Sequence, residues 1–520
     1  MRWRCLECGP RQQTTTADAS RFLLGLEGTF GKWNYKFGLS SGSSKADTIL
    51  TDGYVYTANF AAAFATGKIN PFLLPGQMQT PEALALLEST KARGAPLFGG
   101  KATVKQFDGT MSGDVWPLPA GPLAAAAGFD IRKESYLFRT DTEAQPAIRD
   151  AGGDPLLNKA TRDIKAVFAE LNVPILKGLE TQLAVRRDDY SQIGSTTNPK
   201  IAVAYRPTTS VLLRGSANKG FHAPDYPQLY SGQIEGLLNN ALPDPVLCPQ
   251  HPGDPEFCSV KFDTFSGGNP NLKPERSKQY SFGLVVAPNN WFTASVDYWK
   301  IERTDRIVSL DPREVLANFD VLGANIIRGS NGRIEHIVGG FINAAGDEVK
   351  GIDIGFNMTS PSRFGRLTFA IDGTYLQSFK SHLLENQPFV ELAGEFGNTA
   401  GGFTDLYARW KHIARFTIET GPWSTSLYQR YVSGYKDQKP LGTIPPGFDP
   451  YVHRYIIYHL MATYKGVKNT TITAGIRNLF DQDPPFSAHN VDDVGGAGWD
   501  ARVGDPRGRS FFLSVAYTFK

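Results

Sequence analysis

Residues 352–375 read IDIGFNMTSPSRFGRLTFAIDGTY, and the order of side chains in that stretch decides the fold. Ile352, Ile354, Phe356 and Met358 alternate with Asp353, Gly355 and Asn357. After a short turn at Ser360 to Gly365, Leu367, Phe369, Ile371 and Tyr375 alternate with Thr368, Ala370, Asp372 and Thr374. Successive side chains of a strand point to opposite faces, so each run has one apolar and one polar face. The pattern recurs along the chain. Phe22, Leu24, Leu26 and Phe30 oppose Arg21, Gly25, Glu27 and Thr29, and Trp33, Tyr35, Phe37 and Leu39 oppose Asn34, Lys36, Gly38 and Ser40. Tyr54, Tyr56, Ala58, Phe60, Ala62 and Phe64 read as another strand, and Phe511, Leu513, Val515, Tyr517 and Phe519 as the last. About eighteen such segments occur, many of about 9–14 residues, where strands of water-soluble domains average about five or six. A strand tilted by about 45° needs about 9–11 residues to cross the hydrocarbon of a bilayer. Aromatic residues stand near the ends of many stripes (Trp33, Tyr54, Trp291, Tyr298, Tyr375, Trp423, Tyr464, Tyr517 and Phe519), where an interfacial girdle belongs.

The connections give an independent test. Counting back from the C-terminus, tight turns near 465–467, 421–422, 360–365, 287–290 and 207–209 alternate with long stretches at 479–506, 435–450, 378–404, 304–347 and 220–275. Pro174 to Gly178 and Pro117 to Gly121 are short as well. Short turns at one end and long loops at the other are the arrangement of an outer-membrane barrel. One exception is 191–197, a short connection on the long side. Residues 66–100 have no readable side and contain a predicted short helix near 81–92. The fold expected is an all-β, antiparallel transmembrane barrel of about 16–18 strands filling the whole chain.

Composition alone does not separate this reading from a soluble β-sandwich. The chain is 41% apolar and 12% aromatic, its mean hydropathy is −0.27, and it holds no apolar run long enough for a membrane helix. With 54 basic against 51 acidic side chains and no basic tract, nucleic-acid binding has no support. Cys5 and Cys8 form a lone C-x-x-C with no second pair to complete a zinc site. Cys248 and Cys258 flank a Pro- and Gly-rich stretch and suit a small disulfide-closed loop in an oxidising compartment. The first twenty residues, MRWRCLECGPRQQTTTADAS, have no apolar core and no cleavage site, so they do not read as a secretion signal. An exported barrel needs one, and the sequence therefore predicts a chain whose true beginning is missing.

Several motifs now raise a family. Gly475-Ile476-Arg477-Asn478-Leu479-Phe480-Asp481 with Pro484-Pro485 resembles the G-x-x-N-L-F-D signature of TonB-dependent receptors, and the last run ending at Phe519 is similar to that family's closing strand, with Lys520 as a departure. Phe221-His222-Ala223-Pro224 and Asn269-Pro270-Asn271-Leu272-Lys273-Pro274-Glu275 resemble its F-R-A-P and N-P-x-L-K-P-E stretches. Val296 to Ile301 and Val349 to Asp353 are similar to its D-Y-W-x-I and G-x-D/E positions. The motifs cover residues 101–520; residues 1–100 read as earlier barrel strands on pattern alone. The resemblance implies a barrel of about 22 strands closed around a separate plug, with a TonB box ahead of the plug. Neither the plug nor the TonB box is found in this sequence, so the resemblance implies an N-terminally truncated receptor. Its partners would be outer-membrane lipid, the barrel-insertion machinery through the last strand, a nutrient at the outer loops, and TonB only through the missing plug.

No catalytic constellation, cofactor fingerprint or metal-ligand spacing stands out among the eight histidines or the carboxylates, and an enzyme is not expected. The adjacent pairs Asp188-Asp189 and Asp492-Asp493 read as loop-edge charges. The expected role is uptake of a bulky scarce nutrient, namely a ferric siderophore, cobalamin or an oligosaccharide. The alternative is a passive porin-like or structural barrel. Ligand-contact candidates are Phe221, His222, Tyr226 and Tyr230 in the longest loop, Arg276 at its foot, and Trp499, Asp500 and Arg502 in the last loop. A competing reading has Phe221 to Pro224 merely folding that loop onto the rim.

Overall fold

In the computed structural model the described residues are 5–140 (save 75), 157–396 (save 233, 239 and 240), 406–437, 447, 449–487, 498–500 and 502–519. Parts of the long loops expected at 378–404, 435–450 and 479–506 lie outside them, as does the Asp492-Asp493 pair. The alternating segments fold into one antiparallel wall. Its long strands are β1 (Gln12–Phe30), β2 (Trp33–Asp52), β3 (Pro96–Leu118), β4 (Gly121–Thr140), β5 (Leu157–Leu176), β6 (Leu179–Tyr190), β7 (Gly194–Thr208), β8 (Val211–His222), β9 (Glu275–Asn289), β10 (Phe292–Leu310), β11 (Gly340–Ser362), β12 (Gly365–His382), β13 (Trp410–Thr420), β14 (Trp423–Val432), β15 (Tyr455–Tyr464), β16 (Thr470–Arg477) and β17 (Ser510–Tyr517). A two-residue strand, Val390–Glu391, makes the sheet eighteen-stranded. Each long strand pairs with its sequence neighbours, so the chain runs up and down without crossovers. The barrel is not closed: among the described residues β1 pairs only with β2, and β17 only with β16.

Register carries the sequence alternation across the wall. Leu26 faces Phe37, Phe292 faces Met358, and Phe356 faces Ile371, which gathers the apolar stripes onto one face. Rings there touch one another, as in Phe107–Phe129 at 5.2 Å and Phe292–Phe356 at 5.3 Å between centroids. The apolar side chains remain uncovered by protein: Phe282 is 60% exposed, Leu24 60% and Leu513 71%. In water such a surface would be costly; against hydrocarbon it is the stable arrangement. No helix among the described residues is long and apolar enough to cross a membrane. Trp33, Trp291, Trp423, Tyr464 and Tyr517 sit at strand ends beside the short turns, as an interfacial girdle requires. Tyr54 does not. It lies beyond β2 and packs against a cluster of Leu50, Ala92, Ala95 and Leu97.

At the other end the long connections build their own structure. The strand expected at 54–64 is a helix, α1 (Thr57–Ala65). Alanine stands on both faces of that run, so the alternation there is partly empty, and alanine is the strongest helix former. A second helix, α2 (Pro81–Ser89), starts where Thr80 accepts a hydrogen bond from the Ala83 N–H, with Pro81 in its first turn. Both helices join the ends of β2 and β3 opposite the short turns, which settles the side of residues 66–100. They pack on the bonded pair Cys5–Cys8 through Ala63, Ile69 and Leu87.

The connections that follow β8 and β10 fuse into a cap. Asp263–Ser266 pairs antiparallel with Ile234–Leu237 and parallel with Ile334–Val338, which also pairs with Ile326–Arg328. Beneath this sheet Phe262, Val308, Leu310, Val315, Leu316 and Ile337 form a buried core. Cys248 and Cys258 are bonded to each other, and Arg328 grips Asp244 with two contacts of 2.8 Å.

Candidate functional site

The polar face of the wall lines the lumen, and its charges are arranged across strands. On the β3–β6 side, Arg162 donates to Glu134 at 2.8 Å, and Arg186 pairs with Asp188 at 2.9 Å. Asp188 is buried and ion-paired, not the loop-edge charge expected from its neighbour. Arg162 also donates to the Pro224 carbonyl at 3.0 Å and stacks over the rings of Tyr190 and Tyr226 at 5.3 and 4.9 Å.

That geometry shows what the Phe221 to Pro224 stretch does. Phe221 meets Tyr190 edge to face, Pro224 is buried, and Tyr226 stacks on Tyr136 at 5.7 Å. Burial pushes the Tyr226 phenol up to about 12. His222 lies 3.4 Å from Glu275, and Tyr230 donates to Gln192 at 2.6 Å. The Asn269 to Glu275 stretch works in the same way: Asn269 donates to the Phe341 carbonyl, the Lys273 N–H donates to Asn343, and Glu275 accepts from the Ile307 N–H at 2.7 Å. Both motifs fasten the cap's loops to the rim. Arg276 is the cross-strand partner of Phe221 but makes none of these rim contacts. It shares the outward face with Lys278, Tyr280 and Phe282, one residue out of phase with the lumen-facing Ser277 and Gln279, and is exposed.

The Asn478 to Asp481 signature is a turn device. Asn478 and Asp481 both have positive φ, at 51° and 56°, a conformation that Asn and Asp tolerate better than other side chains. The Asn478 amide both donates to and accepts from the Gln482 backbone at 2.9 Å, and Asp481 accepts from the Arg509 N–H at 2.6 Å. The motif thereby ties the end of β16 to the start of β17. Phe480 is left exposed, edge-on to Tyr458.

A lumen-facing cavity of about 700 Å³ lies further round the wall. Asp353, Asp372, Thr374, Lys411 and Arg430 line it from β11 to β14, and Arg502 and Val503 of the last loop cover it. Thr374 donates to Asp353 at 2.7 Å. Arg502 is held by buried Asp500 at 3.0 Å and lies 4.6 Å over the Phe396 ring. Lys411 and Arg430 are exposed and make no ion pair among the described residues. Of the last-loop candidates, Arg502 reaches the cavity, Asp500 positions it, and half-buried Trp499 is absent from the lining. Sequence reasoning missed Asp353, Asp372, Lys411 and Arg430 as a group, although each stands at a polar position of its alternating run. No cluster of three His, Cys, Asp or Glu side chains among the described residues could hold a metal ion.

An up-and-down wall with an apolar outer face, a charged lumen and a folded outer cap defines a receptor-type barrel. The sequence matches the family model for the TonB-dependent receptor-like β-barrel over residues 9–479, and the chain belongs to that family. It is 22% identical over 392 residues to the ferric enterobactin receptor of Pseudomonas aeruginosa, covering 73% of this chain and 45% of that protein. It is also 22% identical over 152 residues to a probable TonB-dependent siderophore receptor, PirA, of Acinetobacter baumannii, covering 29% of this chain and 18% of that protein. The chain thus spans less than half the length of these curated relatives. The solved structure of the Acinetobacter baumannii PirA receptor superposes with a TM-score of 0.63 at 16% identity, over 97% of this chain and 63% of that one. A variant of the Pseudomonas receptor solved with enterobactin gives 0.61 at 16% identity, over 99% and 73%. These likenesses are of fold. Family homologues are outer-membrane transport receptors.

Proposed function

We propose that this chain is barrel wall from an outer-membrane receptor that takes up an anionic ferric chelate, of the siderophore class. The observation that carries the reading is the lumen cavity, where Lys411, Arg430 and Arg502 converge beneath the last loop. Arg502 is paired with Asp500, and Asp353 and Asp372 share the lining. Lys411 and Arg430, however, form no ion pair among the described residues, and such cations in a partly enclosed space favour an anionic guest over a neutral one. The names of the relatives support the same class, one being a probable siderophore receptor and the other a ferric enterobactin receptor. In this reading the cap and last loop capture the chelate, the cavity holds it by charge, and passage follows when a plug is drawn aside by TonB. The disulfides on the long-loop side fit an oxidising exterior. The metal travels inside its chelator, so the protein itself need not ligate it.

Lys411→Glu with Arg430→Glu is expected to lower the affinity of membrane-bound receptor for a triscatecholate ferric complex by tenfold or more, about 1.4 kcal/mol, and to leave a neutral ferric hydroxamate unchanged. Fluorescence quenching on outer-membrane vesicles reads both ligands. Equal loss for the two chelates, or loss for neither, would remove the charge-selection reading.

A further inference from the structure

A second cavity, of about 750 Å³, lies on the opposite face of the wall, where β5 to β9 meet the surroundings. Its floor is apolar: Leu171, Leu183, Val185 and Ile201 are 40–46% exposed there. Elsewhere on this face interlocked rings fill the space between strands, but here Ala169 and Ala217 leave a hollow. One end of the groove is closed by Lys219, Lys278 and Tyr280. Lys219 and Lys278 are direct cross-strand partners. Both are exposed, and neither forms an ion pair among the described residues. The carboxylate opposite Lys278, Glu302, is already held by Lys300 at 2.7 Å.

Like charges directly opposite each other destabilise a sheet, so an exposed lysine pair at the mouth of an apolar groove calls for an anion attached to something apolar. Height fits as well. Lys219 is eight residues from Val211 and Lys278 eleven from Asn289, both at short turns. At about 3.3 Å per residue and a tilt near 40°, the pair stands roughly 20–28 Å above those turns. That is the outer boundary of an apolar band about 25 Å tall. We infer that the groove binds an outer-leaflet lipid whose headgroup carries phosphate, its acyl chains lying on the Leu171–Ile201 floor and its phosphate bridging Lys219 and Lys278. Tyr280, 44% exposed, offers its hydroxyl at the same level. The inference rests on the outer-membrane reading above and adds a lipid site on the face turned away from the nutrient.

The test uses the full chain purified from outer membranes in mild detergent, with bound lipid counted by native mass spectrometry. Phosphorylated lipid A is expected to be retained, and Lys219→Ala with Lys278→Ala to lower its affinity about thirtyfold. Lys219→Arg with Lys278→Arg, which keeps both charges, is expected to retain it; this pair guards against a simple folding defect. Heat-modifiable migration is read in parallel. A membrane-inserted alanine variant that holds lipid A like the parent overturns the inference and leaves the receptor reading standing. Equal retention of dephosphorylated lipid A, or full displacement by millimolar inorganic phosphate, also overturns it, the latter by showing a plain anion site. A chain absent from the outer membrane would overturn both readings.

Discussion

The wall and the cap obey opposite burial rules within one chain. In the wall, Phe282, Leu513 and Val296 are 60%, 71% and 47% exposed, while Asp347 and Asp188 on the other side are nearly sealed. In the cap, Val315 and Ile337 are 0% exposed, as in any water-soluble domain. The difference teaches that each region is folded against its own solvent. The cap buries apolar groups because water surrounds it, whereas the wall displays them because hydrocarbon does. The cap is thereby a built object with a core, a disulfide and an ion pair, its core completed from below by Val308 and Leu310 of β10 and Ala344 of β11.

The sharpest way to break this contrast is to hollow the cap. Ile337→Ala should cost about 2–5 kcal/mol of local stability. Limited proteolysis is expected to nick 234–266 and 312–338 while the wall keeps its heat-modifiable migration. Loss of the wall together with the cap would show that the two are not separate. Next in size is a charge placed on each face of one strand. Val296→Arg, turned outward, should cost about 2–4 kcal/mol in a bilayer, whereas Ser295→Arg, facing the lumen, should change unfolding much less. Urea titrations in vesicles measure both, and equal costs would refute the face assignment. The smallest effect is a pH dependence of the cap. Burial raises the Asp244 carboxyl, but the Arg328 pair and the Val246 and Leu247 N–H groups outweigh it and hold the group below its ordinary range. A depressed carboxylate stabilises fully above the unfolded value near 4 and loses that contribution as pH falls through the folded value. Hydrogen exchange at 242–260 should therefore quicken below about pH 4 in the parent and change less in Arg328→Gln; an identical acid response in both would discount the pair.

How much of this was legible beforehand divides along the same line. The wall was readable because a period of two is a local property. Ile352 to Tyr375 announces both faces and the turn between them with no knowledge of distant residues. The cap was not. Its four strands are three to five residues long and come from two loops far apart in sequence, so no periodicity marks them. Thr57–Ala65 was misread where alanine blurred the alternation. Among the site residues, the parity of Tyr280 and Phe282 already placed Arg276 on the outward face, a signal present but unused. The cavity depended on which strands stand side by side and on where Arg502 lands, and neither is written in any single run.

One feature of the wall reaches beyond any side chain. β1 and β17 both descend from the cap end to the short-turn end, since an odd number of long strands separates up from down. Two ribbons pointing the same way cannot be zipped together by an antiparallel ladder. Hydrocarbon does not tolerate their bare N–H and C=O groups. Any cylinder closed between these edges by antiparallel pairs alone takes an odd number of strands in the gap, whereas direct closure of β1 on β17 is a parallel pair.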